Sequence, residues 1–299
     1  MQFKRTWKQV DGVLLLDKPL GMTSNDALQK ARRLFSAAKG GHTGTLDPLA
    51  TGLLPLCFGE ATKFSADLLG ADKTYEAVLK LGVTTDSGDA EGQVTATAVV
   101  DVRKEQLSEV LAQFVGDIQQ IPPMHSALKR NGRPLYELAR KGIEVEREPR
   151  TVTIYAIDSL DFAGDSLTIR VACSKGTYIR VLAADIGNAL GCGAHLAGLR
   201  RTVVGDIQLG NSITLAELES LDEAARMERL LPVDALLQSL PVVLVEGAEA
   251  ERFSHGNPVS LPAGLTGKIR VYAEGRLIGV GEPGHGDLLW PKRLVQLAD

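Results

Sequence analysis

The sequence predicts a mixed α/β protein of the α+β type, with a large domain at residues 1–245 and a small β-rich one at 246–299. Three observations predict it. Segments such as 74–82 alternate apolar and polar residues with the two-residue period of a strand. Others, such as Leu107, Val110, Leu111 and Phe114, repeat every three or four residues as a helix does. Near the C-terminus, short β-branched runs are separated by many glycines. The 299 residues are 44% apolar and 23% charged, an ordinary balance for a soluble protein able to bury a core. No apolar run reaches bilayer length, and no signal-peptide pattern follows the basic stretch Met1–Lys8. The expected location is therefore the cytoplasm. Cys57, Cys173 and Cys192 are odd in number and widely spaced, so no disulfide framework is expected. Cys192-Gly193-Ala194-His195 lacks the second ligand pair of a metal site.

The elements follow in order. Gly12–Asp17 reads as a buried strand ending in a turn, after which Thr23 or Ser24 can cap a helix. That helix carries Ala27, Leu28, Ala31, Leu34 and Phe35 on one face. A glycine-rich loop spans 40–52, and a second helix is expected near 60–69 with Phe64 and Leu68 inward. In the strand at 74–82, Tyr75, Ala77, Leu79 and Leu81 share a face. The acidic turn at 86–92 lacks calcium-loop spacing and reads as a hairpin connection to a strand at 93–100. The helix around Leu107 follows. Residues 122–150 form a proline-bounded basic excursion, with a short helix at 135–141 stopped by Gly142. Strands at 151–162 and 166–173 pair. A turn at 174–180 then enters a helix lined by Ile179, Leu182, Ala183, Ile186 and Leu190. Short strands are expected at 194–199 and 203–209, separated by Arg200-Arg201, and Thr214 to Glu217 is a capping box. The C-terminal strands are expected at 268–273, 276–281 and 292–297.

Charge is segregated. The net of −4 argues against a polyanionic partner, yet residues 1–70 hold nine Lys/Arg against six Asp/Glu, and 129–150 hold seven against four. Residues 86–117 and 211–245 are acidic. Such an arrangement leaves room for a basic face, or for nothing more than solvated surfaces.

Within the loop, Gly40-Gly41-His42-Thr43-Gly44-Thr45-Leu46-Asp47-Pro48-Leu49-Ala50-Thr51-Gly52 combines four glycines with one imidazole and one carboxylate. Pro48 pushes Asp47 into an extended conformation, and the glycines leave room for another chain to approach closely. Taken alone, this is ordinary turn chemistry. It has company. Gly12 to Pro19 with Gly21 and Ser24, the loop from Gly41 to Gly52, Gly59 to Phe64, Ser174-Lys175-Gly176-Thr177-Tyr178-Ile179-Arg180 and Gly191 to His195 occur in order. Together they resemble the signatures of the bacterial TruB family, the tRNA pseudouridine-55 synthases. The resemblance covers about residues 10–205; the C-terminal module is similar to the family's PUA-like domain only in position and size.

The resemblance implies a pseudouridine-synthase domain built on a largely antiparallel mixed sheet, an order that periodicity alone does not supply. It implies a cofactor-free, metal-free isomerisation of uridine 55. Asp47 and Arg180 match the family's catalytic aspartate and its arginine partner. Whether the carboxylate attacks the base, attacks the sugar or deprotonates the sugar stays open. His42, Tyr75, Tyr178 and Leu199 match residues around the flipped base, and Lys18, Lys63, Arg200 and Arg201 are candidate phosphate contacts. Each also has a plain reading: core tyrosines, a core leucine, a turn histidine, surface cations. The implied partner is the tRNA T-arm stem-loop, gripped by the 122–150 excursion, with no membrane or protein partner and a monomeric state expected. Two rivals are a non-catalytic tRNA-binding or tRNA-folding protein and a metal-dependent hydrolase built on Asp17, Asp47 and His42.

Overall fold

The computed structural model describes residues 6–124, 126, 128–130, 132–139 and 142–296. Strand β1 (Gly12–Lys18) leads to helix α1 (Ser24–Leu34), then β2 (Gly40–His42) and β3 (Ala50–Phe58). A 3-10 turn at Gly59–Phe64 runs into α2 (Ser65–Leu69), followed by β4 (Lys73–Leu81), β5 (Val83–Thr85) and β6 (Val94–Thr97). Next come α3 (Lys104–Gln113), β7 (Gly116–Gln120), β8 (Lys129–Arg130), β9 (Arg133–Pro134) and α4 (Leu135–Ala139). The long hairpin of β10 (Arg150–Ala163) and β11 (Ser166–Cys173) precedes α5 (Ile179–Ala189), β12 (Ala194–Val204), β13 (Ile207–Gln208) and β14 (Ile213–Thr214). Short helices α6 (Leu215–Ser220) and α7 (Glu223–Met227) lead to β15 (Val242–Leu244), α8 (Gly247–Ser254), β16 (Val259–Ser260), β17 (Ile269–Ala273), β18 (Arg276–Pro283) and β19 (Leu288–Leu294).

Ten strands form one mixed sheet, ordered β14-β1-β3-β12-β4-β11-β10-β7, with β2 on β3 and β13 on β12. Its pairs are antiparallel except β1 with β14 and β3 with β12. The parallel β3–β12 contact joins two halves. On one side, α3 and α5 cover β4, β10 and β11, burying Ala77, Leu79, Ile154, Ile169 and Leu182. On the other, α1 and α6 cover β1 and β3, burying Leu14, Leu28, Leu54 and Phe58. Tyr75 and Leu199 pack against both clusters, so they mark the seam.

The opposite face of β1 and β3 packs on Phe64, Leu68, Leu277 and Val280, which seats the second sheet, β15-β17-β18-β19-β16, against the first. The contact is also polar. Buried Asp234 accepts from Arg270 Nη1 at 2.9 Å and from the Tyr272 hydroxyl. Among the described residues, no helix is long and apolar enough to cross a membrane.

Local chemistry accounts for most elements. Thr23 caps α1: its Oγ1 accepts from Asp26 N at 3.1 Å, and Asp26 answers on the Thr23 backbone. Thr214 and Glu217 make the same box on α6. The helix expected over 60–69 is instead a 3-10 turn followed by one short helix. There Thr62 and Ser65 hydroxyls donate to the carbonyls three residues back, at 2.7 and 3.0 Å, offering the backbone an alternative to the α ladder. The strand expected at 194–199 runs on through Arg200 and Arg201 to Val204 as one β12, with irregularities at Leu196/Gly198 and Arg201/Val203, and the rest of the one expected at 203–209 turns back as the short β13. The last strand is Leu288–Leu294 rather than 292–297, and 297 lies outside the described residues, as do parts of the 122–150 excursion.

Candidate active site

The loop after β2 is pinned from several sides. Buried Ser24, the first residue of α1, accepts from Leu46 N at 2.7 Å and donates to Leu46 O at 3.0 Å. Gly21 N donates to Pro48 O at 2.9 Å, and Leu46 is sunk in the core. These anchors hold Asp47 between them with its side chain 48% exposed. The glycines divide their work. A Cβ on Gly52, whose φ is +97°, would lie 2.3 Å from the Arg201 carbonyl oxygen. Its room is therefore taken by the protein's own β12, not by another molecule.

Arg180 projects from the first turn of α5, 8% exposed. Its Nη2 donates to Asp47 Oδ2 at 2.5 Å and its Nη1 to Asp89 Oδ2 at 3.2 Å. One guanidinium thus holds two carboxylates, one open to solvent and one sealed. Asp89 was not singled out by the sequence, because it lies in the turn-rich 86–92 connection. That connection is stitched to β12 by Ala90 N to Leu196 O and Leu196 N to Gly88 O, at 2.9 and 3.0 Å. Asp89 also accepts from Ser87 Oγ and Glu91 N, at 2.6 and 3.1 Å. Its remaining acceptor capacity is so filled that it presents a fixed carboxylate to Arg180.

Tyr75 and Leu199 lie on the seam of the same sheet. Leu199 is opposite Ala50, where the loop re-enters the sheet, and opposite Ala77 on β4. Tyr178 is the N-cap residue of α5. Its backbone N–H donates to Gln120 Oε1 at 3.0 Å and its carbonyl accepts from Gln120 Nε2 at 3.3 Å. Burial raises the pKa of both tyrosines. His42 has its Nδ1 buried without a partner among the described residues, and burial, then the charge of Arg201, lower its pKa. It is therefore a neutral imidazole at pH 7.

Lys18 and Arg201, expected as phosphate contacts, are buried, while Lys63 and Arg200 keep part of their side chains open to solvent. Lys18 is fully buried, and its ammonium donates to Pro19 O at 2.9 Å and Met22 O at 2.5 Å, closing the turn that leads into α1. Lys63 donates to Glu60 Oε2 at 2.5 Å and to Leu294 O at 2.9 Å, tying the 3-10 turn to the second sheet. Arg200 makes a two-pronged pair with Asp17, at 2.6 and 3.2 Å. Arg201 is 1% exposed. The sequence identifies the charge on each of these groups; burial decides that Lys18 and Arg201 face the protein's own carbonyls. Among the described residues, no group of three or more His, Cys, Asp or Glu could hold a metal ion.

Burial lowers the Lys18 pKa from 10.5 to about 8, against the opposing pull of Asp47. The folded state therefore binds this proton less tightly than the unfolded chain. The stability owed to this group rises as pH climbs from about 8 to about 10.5. Lys18→Met is expected to flatten that rise, read as urea midpoints across the alkaline range. A rise of unchanged size in the variant would contradict it.

Known families and proteins match the chain along most of its length. Residues 32–179 match a family model described as TruB family pseudouridylate synthase (N terminal domain). Residues 180–238 match tRNA pseudouridylate synthase B C-terminal domain, and 241–295 match pseudouridine synthase II TruB, C-terminal. The chain is 90% identical over 299 residues to a tRNA pseudouridine synthase B of Dechloromonas aromatica (strain RCB), covering 100% of both chains. It is 58% identical over 295 residues to the protein of that name in Azoarcus sp. (strain BH72), covering 99% of this chain and 98% of that one. A chain in the crystal structure of a Cbf5-Nop10-Gar1 complex superposes with a TM-score of 0.73 at 27% identity, covering 95% of this chain and 84% of that chain.

Proposed function

The chain belongs to the TruB family of pseudouridine synthases, which are isomerases, and from that premise we propose that it acts on uridine 55 in the T-arm of tRNA, with Asp47 as the reacting carboxylate. The observation that carries the reading is the Asp47–Arg180–Asp89 array beside Tyr75 and Leu199 on the seam of the sheet. Uridine has its N1–C1′ bond broken, the uracil turns, and C5 is joined to C1′. The proton leaving C5 is balanced by one gained at N1, so the product is an isomer of the substrate. A nucleophile or base must be ionised, and the buried Arg180 guanidinium pairs with the Asp47 carboxylate and aims it. Arginine suits this place because it stays charged when desolvated.

The base must first leave the folded arm, at a cost of a few kcal/mol. Stacking on an aromatic ring returns roughly 1–3 kcal/mol per base. Tyr75, with Leu199 as an apolar wall and Tyr178 at the mouth of α5, supplies that surface. His42 is neutral and its Nδ1 is unpaired, which suits a group that enters the space the base vacates. In this reading residues 1–245 hold the catalytic site, the 122–150 excursion grips the arm, and 246–299 form a PUA-like RNA-binding domain. The enzyme works as a cytoplasmic monomer.

The deciding experiment is incubation of purified protein with an unmodified tRNA transcript, without added metal, followed by mapping of pseudouridine. Product at uridine 55 is expected; product elsewhere, with none at 55, would defeat the assignment. Binding should also depend steeply on salt despite the net charge of −4, because phosphate neutralisation releases counterions. Affinity for tRNA is expected to fall by about tenfold or more between 50 and 200 mM salt. A flat salt response would remove the basic face from the account.

A further inference from the structure

Arg201 is a cation sealed in the protein with no carboxylate beside it among the described residues. Burying an ion costs several kcal/mol even after the surroundings relax. A phosphate contact is ruled out by its 1% exposure, so its donors must serve groups already inside. Nε donates to Leu53 O at 2.8 Å and Nη2 to Gly44 O at 3.3 Å. Tyr75 is the residue directly opposite Arg201 across the β4–β12 ladder, so ring and guanidinium are cross-strand neighbours.

These partners are not scattered. Gly44 and Leu53 bracket the loop that carries Asp47. Gly52, inside the same bracket, pairs with Arg201 and has no Cβ, which is what lets β12 close on the loop. The positive charge also bears on His42, Lys18 and Lys73, holding each toward its neutral form. We propose that Arg201 is a positioning residue for the isomerisation: one buried guanidinium fixes the Asp47 loop and the Tyr75 ring in a single relative geometry. This rests on the assignment of Asp47 and Tyr75 to the reacting site. A misplacement of about 1 Å at a reacting group can cost on the order of a hundredfold in rate, which gives a clasp of this kind its leverage.

Two variants test it. Arg201→Lys keeps the charge but loses the planar fork that reaches Leu53 O and Gly44 O together. Tyr75→Phe keeps the ring and removes the hydroxyl. Each is expected to slow single-turnover pseudouridine formation about tenfold while the tRNA Kd stays within about twofold. Because both break one clasp, the double variant should fall within about threefold of the slower single. Multiplicative losses, or a Kd that weakens in step with the rate, would overturn the proposal. Should Arg201→Lys fail to fold, Tyr75→Phe decides: a wild-type single-turnover rate would overturn it. Asp47→Asn is run alongside. If Asp47→Asn stays active, the site assignment has failed. If it is inactive while Tyr75→Phe and Arg201→Lys match wild type, only the role of Arg201 has failed.

Discussion

Asp47→Asn is expected to abolish pseudouridine formation while leaving tRNA binding and folding close to wild type. The amide has nearly the shape of the carboxylate but neither its charge nor its basicity, so it cannot act as nucleophile or base. Loss of an acting group of this kind costs on the order of 10³-fold or more in single-turnover rate. Binding should survive because affinity for a folded RNA comes mainly from phosphate and sugar contacts, not from one group at the reacting base. Folding should survive because the Asp47 side chain is 48% exposed and the loop is held by Ser24, Gly21 and Leu46 instead. The measurements are product mapping, a tRNA Kd and a thermal melt on one preparation. Product from the variant would move the chemistry elsewhere. A large loss of affinity would make Asp47 a binding group. A tRNA-folding effect left whole in an inactive variant would add the non-catalytic role to the enzyme.

Arg180→Met should produce the second large effect, on both rate and stability. It removes the cation between two carboxylates and leaves Asp89, 4% exposed, without its partner. Breaking a buried pair in this way costs about 3–5 kcal/mol. The same change leaves Asp47 without the guanidinium that aims it, so turnover should fall by about a hundredfold or more. Asp89→Asn in the same chain should then restore stability, because the stranded charge is gone; a recovery of about 1–3 kcal/mol is the expected coupling. Activity should not return with it. Urea denaturation of both singles and the double checks the first part, and single-turnover assays the second. Additive destabilisation would mean that Asp89 and Arg180 do not act on each other.

Much of the site was legible in the chain. The Gly-rich loop with Asp47-Pro48, the alternation that puts Tyr75 on a strand face, and the turn carrying Tyr178 and Arg180 into a helix are local patterns. Local backbone preferences and side-chain period carry them. The caps at Thr23 and Thr214 are of the same kind. What escaped was of a different nature. Asp89 looks like any acid in a turn until Arg180, 91 positions away, is brought beside it. Arg200 and Arg201 look like a break between strands, yet β12 runs straight through them, because one arginine finds carbonyls inside and the other finds Asp17.

The family and the mixed α/β class could be read from the chain alone, since motifs keep their spacing without knowledge of contacts. What the cations do came from the folded contacts. A lysine or arginine has the same charge everywhere, but its task depends on which side of the surface its head lies. Lys18 closes a turn, Lys63 ties the 3-10 turn to the second sheet, and Arg201 sits beneath the loop of Asp47. Burial and long-range partners set those roles, and neither is a property of a local stretch of chain.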